Sequence, residues 1–225
     1  MLKYYQIIGI YIPENRYYKM LTKQQLKILN VFSGDIFGKM DFQRVKSLSG
    51  QKSNNAVQIA LKEFRKQQII NKENVGKSIL YSLNLRSNRL LAYLALSNEL
   101  SLPVHLPFSV LRTIQEGIME YTPFFTLFVF GSYAKGKQTQ RSDLDIAVIV
   151  ETDATRKEII PALETVKRRE LLEIDYHVFT TAEFIEMLIE DYENLGKQIY
   201  RGNKIIFGAM QYYSLLYANY KKYKL

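Results

Sequence analysis

The chain has no cysteine, which excludes disulfides and thiolate metal sites and is compatible with a reducing compartment. No stretch approaches the ~20 apolar residues that a membrane-spanning helix needs. The opening Met1-Leu2-Lys3-Tyr4-Tyr5-Gln6 has only a short, broken apolar run, unlike a signal peptide. The expectation is a soluble, cytoplasmic protein with no membrane partner. Gly/Ser-rich tracts, repeats and low-complexity segments are also missing, so any joint between modules should be stiff. Acidic residues are scarce in one part only. Residues 1–100 hold 16 Lys or Arg against 6 Asp or Glu, a balance of +10, whereas residues 101–225 hold 15 against 16. That asymmetry predicts two modules with different partners. The basic one is a candidate for nucleic acid, whose phosphates reward Lys and Arg, with a merely solvated basic surface as the competing reading.

The densest chemistry lies in the acidic half. Phe130-Gly131-Ser132-Tyr133-Ala134-Lys135-Gly136 is followed seven residues later by Asp143-Leu144-Asp145. An apolar run precedes it (residues 124–130) and another follows (residues 145–150), and both read as buried strands. Gly131 lets backbone approach a ligand, and a helix opening at Ser132 leaves free N–H groups suited to phosphate. Asp143 and Asp145, two apart on a strand, share one face. A carboxylate pair beside a triphosphate is a common way to hold Mg²⁺. Gly131-x-x-x-x-Gly136-Lys137 has P-loop spacing, but Gln138 stands where a P-loop needs Ser or Thr, and a new strand begins too soon for its helix. A plain turn between core strands is the bland alternative.

The run GSYAKGKQTQRSDLDIAV resembles the signature of the nucleotidyltransferase superfamily that includes DNA polymerase beta, and within it the minimal nucleotidyltransferases. Gly131, Ser132, Ala134, Gly136, Ser142, Asp143 and Asp145 all match the pattern. The resemblance implies a third acidic residue on a later strand. Asp175, within Leu172-Glu173-Ile174-Asp175-Tyr176, fits the apolar-Asp-apolar pattern, with Glu173 and His177 on its face. It further implies Asp143, Asp145 and Asp175 as catalytic and metal-binding residues, and Gly131, Ser132, Lys135 and Gly136 as nucleotide-binding. Mg²⁺ (or Mn²⁺) would be the cofactor and ATP or another NTP the substrate. A protein acceptor such as a ribonuclease toxin is one implied partner. A nucleotidyltransferase fold that binds nucleotide as a sensor, or is inactive, is the alternative.

In the basic half, Thr22 caps an apolar-periodic run from Leu21 to Phe32, Asp41 caps a second helix ending near Gly50, and Ser53 caps a third from Asn54 to Lys66. Two strands follow, with a polar tip from Asn71 to Lys77. This order resembles a winged helix-turn-helix domain. The resemblance implies DNA as partner, with Lys52, Ser53, Asn54, Asn55 and Gln58 at base edges. Lys62 would sit nearer phosphates, and Lys72 and Lys77 would flank the wing tip.

The expected fold class is therefore α+β: an N-terminal winged helix-turn-helix, then a nucleotidyltransferase-fold mixed β-sheet with flanking helices. The expected organisation is an extension (1–20), the DNA-binding domain (21–85), a connecting helix (86–101) and the transferase domain (102–225). The extension's apolar run, Tyr4 to Ile12, reads as an extra strand or a dimer contact. Arg156–Arg169 is expected as a crossover helix with Pro161 near its start, and Thr181–Leu195 as one helix. His105 reads as a surface residue between prolines, and His177 as a support for Asp175. Tyr212, Tyr213, Tyr217 and Tyr220 are spaced for packing or a homodimer interface.

Overall fold

The computed structural model describes residues 4–7, 10–13 and 19–223. Strands β1 (Tyr4–Ile7) and β2 (Ile10–Pro13) pair antiparallel, so the apolar run expected as one segment supplies two strands. Helix α1 (Lys23–Leu29) starts at Thr22, whose hydroxyl accepts the Gln25 N–H while the Gln25 side chain accepts the Thr22 N–H. These reciprocal bonds satisfy two otherwise orphaned donors. Beyond a 3-10 turn (Asn30–Gly34) lie β3 (Met40–Asp41) and α2 (Phe42–Ser49), which is capped by Asp41 and ended by Gly50 in the left-handed conformation. Ser53 caps α3 (Asn54–Lys66), which buries Val57, Ala60, Leu61 and Phe64 on one stripe.

Strands β4 (Ile70–Val75) and β5 (Ser78–Leu83) form a hairpin, and β3 adds to β5. The expected polar tip is mostly strand: the turn is confined to Gly76-Lys77, and pairing runs from Ile70–Leu83 to Val75–Ser78. Five of the six β4 residues are exposed, so no apolar alternation marked that strand in the sequence. Lys72 consequently lies opposite Tyr81 within the ladder and does not flank the tip; Lys77 does.

Helix α4 (Asn88–Leu100) leads into α5 (Phe108–Met119), β6 (Phe125–Val129), a single turn α6 (Gly131–Ala134) and β7 (Leu144–Val150). Then come α7 (Asp153–Arg169), β8 (Ile174–Thr180), α8 (Thr181–Ile189), α9 (Leu195–Gly202), β9 (Lys204–Phe207) and α10 (Ala209–Asn219). The four-stranded sheet has the order β8-β7-β6-β9; β7 and β8 are parallel across the α7 crossover and the other pairs antiparallel. The mixed sheet with flanking helices fits a nucleotidyltransferase fold.

Two expectations about helices change. Thr152 caps α7, so Pro161 falls in the helix interior, where it can offer no N–H to the carbonyl of Lys157. The single helix expected over 181–195 ends at Ile189, and α9 begins after Asn194. Asn194 donates to the Met187 carbonyl at 2.7 Å and the buried Lys197 ammonium donates to the Glu190 carbonyl at 2.5 Å. Side chains thus take the acceptors that a continuing helix would use.

Period-two alternation splits the sheet residues between two cores. Leu127, Val129, Ile146, Val148 and Val150 face α5 and α7. Phe128, Ala147 and Ile149 face α8, α10 and α4, and that core runs on into Leu29, Phe32 and Phe64 of the N-terminal unit. Helix α4 is the brace. Ser97 donates to the Leu26 carbonyl at 3.0 Å and Asn98 to the Ile205 carbonyl at 2.7 Å. The buried Tyr212 and Tyr213 pack in this shared core, which gives them a structural use.

Candidate active site

The end of β6, the start of β7 and the start of β8 lie along one edge of the sheet. Asp145 and Asp175 are register partners on the parallel pair β7–β8, so their Cα atoms are neighbours and their side chains leave the same face. Asp143 sits one residue before β7, and the Glu173 carbonyl accepts the Leu144 N–H at 2.8 Å, tying the two strand starts together. The β6–β7 ladder continues to Phe130, whose N–H donates to the Asp145 carbonyl at 3.0 Å.

Gly131 follows with φ of 64°, a left-handed conformation that disfavours any residue with a Cβ. A Cβ there would lie 1.9 Å from Oδ2 of Asp145. The carboxylate therefore rests directly over the glycine, and the Ser132 backbone N–H bonds it. The Ser132 carbonyl accepts the Lys137 N–H at 3.0 Å, folding the rest of the motif into a compact loop. Ser142 works within this loop, its hydroxyl accepting the Thr139 N–H at 2.9 Å.

The electrostatics are those of crowded acids. Burial and the facing Asp175 push the Asp145 carboxyl above its ordinary range, and Asp143 adds to the rise. The Ser132 N–H, and more weakly His177, oppose it. Asp175 is exposed, with Oδ2 3.5 Å from Nε2 of His177. His177 is stacked on Phe179 at 6.1 Å and tilted against Phe130 at the same distance, so its ring is fixed beside Asp175. Among the described residues, no three His, Cys, Asp or Glu side chains stand close enough to enclose a metal ion. Asp145 is turned onto Ser132 and Asp175 lies toward His177. The donor set itself, three carboxylates, fits a hard divalent cation, whose charge would relieve the mutual repulsion that raises Asp145.

His105 has a use that its flanking prolines hid. Its Nε2 lies 3.0 Å from the Tyr133 carbonyl, and its ring edge is 3.5 Å from where a Cβ on Gly136 would be. It braces the motif loop from outside. Only a contact between residues 28 apart reveals this, and nothing local in the sequence marks it. Lys135 and Gly136 are exposed on that loop.

The candidate DNA-facing residues Lys52, Ser53, Asn54, Asn55, Gln58, Lys62, Lys72 and Lys77 are all exposed. The Ser53 hydroxyl is engaged as the α3 cap, accepting the Ala56 N–H at 3.3 Å, so it is committed to the helix end. No helix among the described residues is long and apolar enough to cross a membrane.

The site thus joins a glycine-serine turn between antiparallel strands to three carboxylates at or next to the adjoining strand starts. Residues 112–211, from within α5 to within α10, match the family model described as Polymerase beta, Nucleotidyltransferase. The matched span contains the whole motif and all three aspartates, and it supports the nucleotidyltransferase superfamily and nucleotidyl transfer as the general activity. Neither the curated proteins nor the solved structures give a match.

Proposed function

We propose that this protein transfers a nucleoside monophosphate, AMP in the first instance, from an NTP to an acceptor hydroxyl. The observation that carries this is the packing of the Asp145 carboxylate over Gly131, with Asp175 in register on the next strand. The Ser132 hydroxyl and Lys135, at the close-approach turn made by Gly131 and Gly136, receive the triphosphate, while the Ser132 N–H is held by Asp145. Asp143, Asp145 and Asp175 are the residues that would hold Mg²⁺ or Mn²⁺. When bound, such an ion lowers the pKa of a coordinated hydroxyl and neutralises the departing pyrophosphate. The acceptor oxygen bonds to the α-phosphorus in line as the bond to pyrophosphate breaks, and the Asp175 carboxylate takes the hydroxyl proton. Phe130 and Phe179 hold His177 beside Asp175 and so orient that carboxylate.

Labelled ATP, Mg²⁺ and a cell extract supply the test. Transfer of label to an acceptor is expected, with loss of at least ~10²-fold in an Asp143→Ala plus Asp145→Ala variant, by analogy with other removals of transition-state electrostatics. Unchanged transfer in that variant overturns the assignment.

The N-terminal unit is read as a winged helix-turn-helix that binds DNA. Support comes from the helix order, the three-stranded hairpin sheet and the exposed polar face of α3, where Asn54, Asn55, Gln58 and Lys62 lie opposite the buried stripe. A DNA-linked transferase is the reading this combination favours, with a toxin-like protein as one acceptor that the family resemblance implies. A regulator whose transferase fold only senses nucleotide is the second. What supports this second reading is that, among the described residues, Asp145 is held over Gly131 while Asp175 lies toward His177, so the carboxylates do not converge on one point. Steep salt-dependent DNA affinity is expected in either case. Lys62→Ala should reduce the slope of log K against log salt by about 0.9, the value for one phosphate contact.

A further inference from the structure

On the β9 side of the glycine-serine turn, away from Asp175, lies a cavity of about 200 Å³ between the N-terminal unit and the transferase sheet. At ~30 Å³ per water it has room for six or seven waters. Its wall brings together Lys135 of the motif loop, Arg201 and Lys204 around the α9–β9 joint, Asn203, and Ser33 and Asn98 from the other side. Among the described residues no Asp or Glu lines it. Arg201 pairs with Glu193 at 2.7 Å, and both side chains are half-exposed. Asp35 lies near enough to add to the burial that raises the Tyr200 hydroxyl, yet it is not part of the wall. The Tyr212 hydroxyl also lines the cavity. It is only 3% exposed and makes no hydrogen bond of good geometry, with Asn203 as its polar neighbour.

Lys135 and Lys204, with Arg201 partly offset by its half-exposed pair to Glu193, leave this concave wall net positive, and an anion relieves that excess. The Asn203 amide and the Ser33 hydroxyl already bond the Ile199 and Asn30 carbonyls, and one Asn98 amide hydrogen bonds the Ile205 carbonyl. The wall therefore offers a ligand the Lys135 and Lys204 ammoniums, the part of the Arg201 guanidinium not facing Glu193, the second Asn98 amide hydrogen and the Tyr212 hydroxyl, a set that matches a group with several acceptor oxygens and more than one charge. We infer that this cavity binds a phosphoryl group, and that the group is gripped jointly by the nucleotide loop and the N-terminal unit. Lys135 is shared between the cavity and the candidate nucleotide loop, whereas Asn98 and Ser33 belong to the elements that carry α3. Occupancy therefore ties the state of the motif loop to the seating of the N-terminal unit. The phosphoryl group can be the polyphosphate end of the substrate nucleotide or a separate phosphorylated effector.

Calorimetric titration of the full chain with phosphate and pyrophosphate at low salt tests this. Pyrophosphate is expected to bind the wild type. Affinity should fall about tenfold or more in Lys204→Gln plus Arg201→Gln, while Lys204→Arg alone retains it. Asp143→Ala plus Asp145→Ala should bind within about twofold of wild type, which separates this site from the carboxylates. Thermal melts establish that the glutamine variant is folded. If ATP displaces pyrophosphate and loses affinity by the same factor in that variant, the cavity holds the substrate's polyphosphate; if both bind at once, it holds an effector. No binding of either anion to the wild type, or undiminished binding to the glutamine variant, overturns the inference. An inert transferase that still binds pyrophosphate would sink the catalytic reading and leave this one standing.

Discussion

Asp145 is the residue at which stability and the proposed chemistry pull in opposite directions. Its carboxylate is partly buried, faces Asp175 and stands near Asp143, so the fold raises its pKa. For an acid, a folded-state pKa above the unfolded value means that ionisation costs stability. The cost is absent below the unfolded value near 3.9, grows as pH rises toward the folded value, and is complete above it. Asp145→Asn removes the charge and keeps an oxygen to accept the Ser132 N–H. In metal-free buffer at pH 7 its Tm is expected to rise by about 1–3 °C, with no gain at pH 3, while nucleotide transfer is lost. A lower Tm at pH 7 would mean that the carboxylate is stabilised by contacts stronger than its repulsion. Gly131 is the counterpart on the backbone: the Cβ of Gly131→Ala would occupy the space of the Asp145 carboxylate at a left-handed φ. Both residues were legible in the sequence because the motif states them by type and spacing. The bond between His105 and Tyr133 was not, because only the folded chain makes it.

At the scale of elements, the capping residues carried most of the readable information. Asp41 and Ser53, with Gly50 at a helix end, fix boundaries through one local hydrogen bond or one permitted φ, so position alone reveals them. Where ends depend on distant partners the reading fell short, as at the α8–α9 break closed by Asn194 and Lys197. The exposed strand β4 carried no pattern at all. The junction of α7, β8 and α8 offers a sharp test. Glu183 accepts the Thr180 N–H at 2.8 Å in a capping box, and both its oxygens accept from the Arg156 guanidinium of α7 at 2.7–2.8 Å. The Thr180 N–H, then Arg156, hold the Glu183 carboxyl below its ordinary range. A lowered acid pKa supplies stability above the unfolded value near 4.3 and loses it as pH falls through the folded value. Glu183→Ala is therefore expected to cost about 1 kcal/mol at pH 7, with the exposed ion pair adding little to the cap. The gap to wild type in urea melts should close below about pH 4. A constant gap from pH 7 to pH 3 would show that lost packing, not the charged cap, sets the cost.

For the whole molecule, the uneven charge suggested two modules, and three helices, a hairpin and a connecting helix follow one another in the order the sequence pattern led one to expect. The joint itself was not legible. Leu90 and Leu94 of α4 lie in one continuous core with Phe64 on one side and Phe128, Ile149, Tyr212 and Leu216 on the other. An apolar helix with residues buried on both sides looks the same in sequence as any buried connector, since periodicity reports burial and not which neighbour provides it. The consequence is cooperativity. With no independent core on the α10 face of the sheet, the N-terminal unit and the transferase domain should melt together, and calorimetry should show one transition. Leu94 is fully buried, and Leu94→Ala removes a side chain from the middle of the shared core. A loss of about 2–5 kcal/mol is expected, the range for such cavities. It should appear as a downward shift of the single transition, with equal loss of amide protection in α3 and β6. If the variant instead melts in two steps, with β6 protected after α3 has opened, the two halves are energetically separate, and coupling through the phosphate cavity would have to act without a common core.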